Sequence, residues 1–298
     1  MSVVGCLIVA YQRPLELQRV LELVGAEKFD RIFVVIDQPK HKTKENLERF
    51  DGVVQTSLTF ASSRANVEVE VRSTNYGILR NFQDSIAACF QHVDQLCILE
   101  DDCIPSVGIR EYIDSVFSLP MDSQVKILTL TRPNFFVDFG NFELTHSPLM
   151  WGWVVSKQNW NLISSLINEK SSSGLFPFPQ IFFQSFLYSA YYRTRNNQLD
   201  ALDALVAYVF SSYDFLTLIP PKNLVSNIGT GPLATNTILG STFHHAKNTR
   251  WNSSFIRKVP RINVAKIFCN DFMIYRRMNG WKIHHLFSNY LKIHFLSK

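Results

Sequence analysis

Three adjacent carboxylates, Glu100-Asp101-Asp102, follow the apolar stretch Gln95-Leu96-Cys97-Ile98-Leu99 and precede Cys103-Ile104-Pro105. Charges crowded at the end of a buried strand must be solvated, paired or neutralised. A hard divalent cation such as Mg²⁺ or Mn²⁺ does this well, taking one or two carboxylates together with phosphate oxygens of a substrate. That spacing therefore points to chemistry on a diphosphate, with a solvated acidic turn as the plain alternative. Arg13 and Arg80 have the planar fork that grips phosphate oxygens in pairs, although Arg80 also reads as a surface charge. Asp37, at the end of another apolar run, suits a hydrogen bond from a base or ribose, or the bland role of a turn aspartate.

The elements that must position these groups read clearly over the first half. Val3–Ala10 is a continuous apolar run stopped by Tyr11-Gln12-Arg13-Pro14, the pattern of a strand covered on both faces. Pro14 suits a first helical position, and Leu15, Val20, Leu21 and Val24 fall near helical spacing after it. Arg31–Ile36 is a second strand, Lys40–Phe50 a polar surface helix and Val67–Val71 a third strand. Asn75-Tyr76-Gly77 makes a turn, after which Ile78, Phe82, Ile86, Phe90 and Val93 share a helical face. A strand at Leu96–Leu99 delivers the acidic run. Helix, strand, strand and helix are expected at 109–119, 125–131, 151–155 and 157–167. Asp200–Ser211 reads as a helix and Phe215–Ile219 as a strand. Strands alternating with helices predict a doubly wound mixed α/β sheet. In such sheets ligands sit beyond the strands' carboxyl ends, where Tyr11, Arg13, Asp37, Asn75 and Glu100–Asp102 would converge.

The chain's 298 residues allow one large domain with an appendage, and 46% hydrophobic against 18% charged residues is a globular balance. No apolar run reaches the roughly 18 residues of a membrane span, and the amino terminus reads as a strand rather than a secretory signal. The 5 cysteines form no CxxC pair, which fits reduced thiols in a cytoplasmic protein. The net charge of +5 is uneven. From Arg250 to Lys298 the single carboxylate is Asp271, amid basic residues interleaved with aromatics. Such a segment either lies on an anionic membrane surface or packs as a helical extension. No nucleic-acid-binding pattern is present.

Taken in order, Leu7–Pro14, Asp37, Asn75-Tyr76-Gly77, Ile98–Asp102, Trp151-Gly152-Trp153 with Trp160, and Asn223–Gly229 resemble blocks of the GT-A glycosyltransferases. More narrowly they are similar to bacterial relatives of the N-acetylglucosaminyltransferase I type, the hemolytic-protein-like group. The resemblance spans residues 3 to about 235. It implies a catalytic domain over 1–243, a nucleotide-binding half followed by an acceptor-binding half, while the basic, aromatic-rich composition of 244–298 reads as a helical extension. It implies metal-dependent, inverting transfer of a sugar from a nucleotide-diphosphate donor, by preference a UDP-sugar, to a glycan or lipid-linked acceptor in surface polysaccharide synthesis. Mn²⁺ or Mg²⁺ is the implied cofactor, held by Asp102. Ala10, Tyr11, Arg13, Asp37, Asn75, Gly77, Arg80, Glu100 and Asp101 are the implied donor contacts.

Inversion needs a general base, and the resemblance points to Asp203 with Asp200 as its rival, either of which also reads as a helix cap. Trp151, Gly152 and Trp153 are the implied acceptor contacts. With period-two alternation both tryptophans would face one side, stacking on a sugar or filling the core. Where relatives carry Thr-His, this chain has Thr235-Asn236, and His244 or His245 stands as the substitute metal ligand. The cell compartment implied is the cytoplasm, on the inner face of the plasma membrane. Nucleotidyl transfer is a competing reaction on such a sheet, but it usually needs a glycine-rich loop where Tyr11-Gln12-Arg13-Pro14 stands. A non-catalytic partner of a secreted toxin is a third reading, for which three crowded carboxylates have no use.

Overall fold

A computed structural model describes residues 2–134, 140–169, 190–229, 251 and 260–279. Its centre is a sheet of 8 strands in the order β3-β2-β1-β4-β8-β6-β9-β7. Strands β1 (Val4–Ala10), β2 (Arg31–Ile36), β3 (Val67–Val71) and β4 (Gln95–Glu100) run parallel. β8 (Trp153–Ser156) is antiparallel to β4 and to β6 (Val125–Thr129). β9 (Leu216–Ile219) pairs parallel with β6, and β7 (Glu143–Thr145) closes the edge antiparallel to β9. This is the doubly wound mixed α/β sheet expected from the sequence.

The continuous apolar strands are explained by cover on both faces. Cys6, Ile8 and Ala10 of β1 point into one core while Leu7 points into the other; on β4, Cys97 and Leu99 face the first and Leu96 and Ile98 the second. Helices α1 (Pro14–Ala26), α2 (Lys44–Ala61) and α4 (Ile109–Phe117) contribute to the first core. Helices α3 (Gly77–Cys89), α5 (Lys157–Asn168) and α6 (Leu202–Ser212) contribute to the second.

Several expected bounds shift for local reasons. On α1 the buried stripe is Leu17, Val20, Leu21 and Val24, and Leu15 is exposed. The second helix starts later and runs further, because the Thr43 side chain caps it by accepting from Asn46 N at 3.2 Å and Val53, Ser57 and Phe60 bury its far half. Asp200 lies outside α6, which begins at Leu202. The strand expected at 151–155 begins at Trp153, because Gly152 adopts φ +75°.

The described parts of the carboxyl-terminal stretch join this body. Trp151 and Met273 pack on the small cluster of Leu149, Ile219 and Ile274, and Trp251 stacks edge-on against Tyr112 at 4.9 Å. Helix α7 (Val264–Asn279) turns Ile267, Asn270, Asp271 and Ile274 inward. Among the described residues no helix is long and apolar enough to cross a membrane.

Candidate active site

Strand order sets the location. From β1 the chain winds out through β2 and β3, then returns to place β4 on the other side of β1. The crevice between β1 and β4 is thus a topological switch point, and the residues after both strands meet there. After β1 comes Arg13; after β4 comes the acidic run. The Arg13 guanidinium lies 2.9 Å from Asp101 Oδ1 and 2.5 Å from Asp102 Oδ2. Tyr11 N donates to Asp101 Oδ2 at 2.9 Å, fixing that carboxylate from the backbone as well.

A second small sheet brings the other distant block to this point. β5 (Cys103–Pro105) pairs antiparallel with β10 (Val225–Asn227), setting Asn227 opposite Cys103. Ile228 N donates to the Asp102 backbone oxygen at 2.9 Å, and Asn227 Nδ2 reaches Asp102 Oδ1 at 3.4 Å. Gly229 is pressed so closely that a Cβ there would stand 1.9 Å from Asp102 Oδ2. The blocks around residues 100 and 227 therefore form one structure.

The electrostatics follow from this crowding. Glu100 is pushed up to about 8, first by burial, then by the charges of Asp102 and Asp101, with Arg13 pulling the other way and Asp203 adding to the rise. Asp101 is raised to about 6 by burial and by Asp102, against the pull of Arg13. Burial also raises Asp102, with Arg13 again opposing. Asp203, in the first turn of α6, is raised by loss of hydration, opposed by hydrogen bonds from the backbone of Ala204 and of Asp203 itself. The structure thus brings Arg13, Asp101 and Asp102 to one place, with Glu100 beside them on β4 and the charge of Asp203 near enough to be felt at Glu100.

Other expected site residues have different duties. Asp37 is buried and accepts from Gln38 N, Tyr76 N, Gly77 N and Asn75 Nδ2 at 2.8–3.1 Å, which uses a carboxylate's acceptor positions. It is the turn aspartate that builds Asn75-Tyr76-Gly77 against β2. Ala10, 1% exposed, contributes its carbonyl to Asp37 N at 3.0 Å. Arg80 lies over the Tyr76 ring at 4.0 Å and pairs with Asp84 at 3.3 Å. Asp200 caps a helix, but not its own: it accepts from Ile78 N and Leu79 N of α3, each at 2.7 Å.

The tryptophans correct a second expectation. Trp153 is 1% exposed and packs on Trp160 with ring centroids 6.0 Å apart, so it fills the core and stacks on no sugar. Trp151 packs on the opposite core. The positive φ of Gly152 breaks the alternation on which a shared face depended, and Gly152 is held there because a Cβ would meet Val225 Cγ2 at 2.8 Å. His244, His245 and Thr235-Asn236 lie outside the described residues.

Two contributors carried no assigned role in the sequence reading. Asn227 orients both Asp102 and Gly229, accepting from Gly229 N at 2.8 Å; the Asn-Ile-Gly block contained that signal. Arg72 is buried, donates to Asn81 Oδ1 at 2.9 Å and Ser85 Oγ at 2.7 Å, and lies over the Tyr76 ring at 4.9 Å. A lone arginine ending an alternating strand gave no sign of this.

No family model matches the sequence, and no curated protein matches it. Among solved structures, it is similar to a mannosyltransferase of Pyrobaculum calidifontis in complex with GDP-Man and Mn²⁺, at 9% identity, TM-score 0.43, and 70% and 68% of the two chains. A cytidylyltransferase of Leptospira borgpetersenii matches at 18% identity and TM-score 0.37 over 56% of this chain and 65% of that one. Glucosyl-3-phosphoglycerate synthase of Mycobacterium tuberculosis, in complex with Mn²⁺, UDP and glucosyl-3-phosphoglycerate, matches at 10% identity and TM-score 0.36 over 55% and 59%. None of the three reaches a TM-score of 0.5, so function has to be argued from this chain's own residues.

Proposed function

We propose that this chain is an inverting glycosyltransferase of the N-acetylglucosaminyltransferase I type, moving a hexosyl or N-acetylhexosaminyl group from a UDP-sugar to a glycan or lipid-linked acceptor. The observation that carries the reading is the meeting of Arg13, Asp101 and Asp102 at the β1–β4 crevice, where the guanidinium lies 2.9 Å from Asp101 and 2.5 Å from Asp102 and Glu100 is next along the chain. One guanidinium there faces several carboxylates, and the Glu100 carboxylate has no hydrogen bond from the described residues.

That excess of negative charge and the all-oxygen donor set fit a divalent ion of the Mg²⁺ or Mn²⁺ kind, which needs few protein ligands when a diphosphate supplies the rest. Among the described residues no three His, Cys, Asp or Glu converge as a complete cage. Asp102 would hold the ion, with Glu100 and Asp101 beside it. Bound there, the ion supplies Lewis-acid stabilisation of the departing diphosphate.

The chain's own residues do the remainder. Arg13 brings a fixed positive charge to the diphosphate. Asp203 takes the proton of the acceptor hydroxyl as its oxygen bonds to the anomeric carbon; the carbon–oxygen bond to the diphosphate breaks and its electron pair leaves with the nucleotide. A carboxylate whose proton affinity is raised by poor hydration is the better base. The acceptor reading fits a basic carboxyl-terminal segment against an anionic membrane surface: Asp271 is turned inward, whereas Val264, Phe268 and Phe272 are exposed.

The test is nucleotide release from a panel of UDP-sugars with Mn²⁺. Wild type is expected to release UDP, and Asp203→Asn to lose roughly 10²–10⁴-fold of the rate with UDP affinity retained. Full activity in Asp203→Asn would refute the assignment of the base.

A further inference from the structure

The start of α3 is where the two halves of the chain are tied together. A helix leaves its first amide hydrogens without intrahelical partners. Here they are taken in two pairs. Asp37, from the end of β2, accepts from Tyr76 N and Gly77 N at 2.8 and 3.0 Å. Asp200 accepts from Ile78 N and Leu79 N at 2.7 Å each, across 122 and 121 residues of sequence. Gly77 has φ +75°, and a Cβ on it would stand 2.5 Å from Asp200 Oδ2, so the carboxylate seats against bare backbone.

α6, by contrast, has no side-chain cap of its own at Ala201, which is extended at φ −149°. Asp203 stands three positions after Asp200, a reach of at most about 10 Å. Leu202 and Leu205 of α6 lie in the same apolar cluster as Ile78 and Leu79. The anchor at Asp200 and the apolar contact behind it thus fix where α6 begins.

We propose that Asp200 is a positioning residue: by latching onto the α3 amino terminus it holds the first turn of α6, and so the Asp203 carboxylate, against the Glu100–Asp102 run. This deepens the reading of Asp203 as the base and rests on it. It also separates the two rival aspartates by role, one bonded to the backbone amides of α3 and the other standing in the first turn of α6. The latch joins the turn built by Asp37 to the wall that carries Asp203, so displacement of one is felt at the other.

Asparagine separates a latch from a base, because its amide oxygen still accepts hydrogen bonds but takes up no proton. Asp200→Ala is expected to lower UDP release from the UDP-sugar panel roughly 100-fold, as misplacement of a reacting group does. Calorimetric UDP affinity with Mn²⁺ should meanwhile move by no more than about threefold. Asp200→Asn should return to within about tenfold of wild type, since it keeps part of the cap. Hydrogen exchange supplies a readout independent of activity: Asp200→Ala should speed exchange at Ile78 and Leu79 and also at residues 205–208. Equal loss in Asp200→Asn and Asp200→Ala, or unchanged exchange at 205–208, would overturn the latch. Wild-type turnover in Asp203→Asn, with exchange at 205–208 still responding to Asp200→Ala, would instead remove the base assignment and with it the catalytic purpose of the latch.

Discussion

Gly229 shows how little freedom the Asp102 carboxylate has. Arg13, Asn227 and the backbone of Gly229 surround it, and any side chain at 229 would have to displace it. Gly229→Ala is therefore expected to lower UDP release from a UDP-sugar by at least about 100-fold, the effect of shifting a catalytic group by the order of an ångström. Its cost in stability should be about 1–3 kcal/mol, the usual cost of overpacking. Normal turnover in that variant would mean that the position of Asp102 does not matter. At this scale the acidic run was legible because charge beside an apolar strand demands an explanation. The duties of Asp37 and Asp200 were not: their partners are backbone amides, which carry no mark in the sequence, and those of Asp200 lie more than 120 positions away.

Among elements, strands covered on both faces were the easiest to read, since β1, β2 and β4 are apolar at nearly every position. The segment from Trp151 to Val155 misled for the opposite reason. Its alternation is interrupted by one glycine at positive φ, a backbone state that spacing alone does not reveal. The consequence is measurable. Trp153→Ala should cost about 3–5 kcal/mol in denaturant unfolding, as for other large aromatic side chains removed from a core. UDP affinity under folding conditions should be unchanged. A stable Trp153→Ala protein with lost acceptor use would restore Trp153 to the acceptor site. The late start and long run of α2 are a smaller case, in which Thr43 rather than the first lysine sets the boundary.

For the whole molecule, α7 is joined to the sheet edge by a charged clamp. The His146 ring lies between two carboxylates, with Nδ1 2.7 Å from Asp271 Oδ2 on α7 and Nε2 2.8 Å from Asp214 Oδ1 beyond α6. Thr145 Oγ1 donates to Asp271 at 2.5 Å, and Lys266 pairs with Glu143 at 2.9 Å nearby. Burial works to lower the His146 pKa, but the bonds and charges of Asp271 and Asp214 outweigh it and the net shift is upward. A raised imidazole pKa stabilises the folded state fully below the ordinary value near 6.5, and that stabilisation is lost as pH rises through the folded value. The difference in melting temperature between wild type and His146→Gln should therefore be larger at pH 6 than at pH 9. A difference independent of pH would show that the clamp does not depend on the charged ring. The sequence marked Asp271 as the lone carboxylate in a basic stretch, but gave no hint that it faces inward.

The most direct measurement is UDP release from UDP-sugars with saturating Mn²⁺, comparing wild type with Asp102→Asn and following the melting temperature of each with UDP. Wild type should release UDP and be stabilised by it, and Asp102→Asn should stay folded while losing roughly 100-fold or more of the rate. Equal rates in the two proteins, or a wild type that neither releases UDP nor is stabilised by it, would contradict the account.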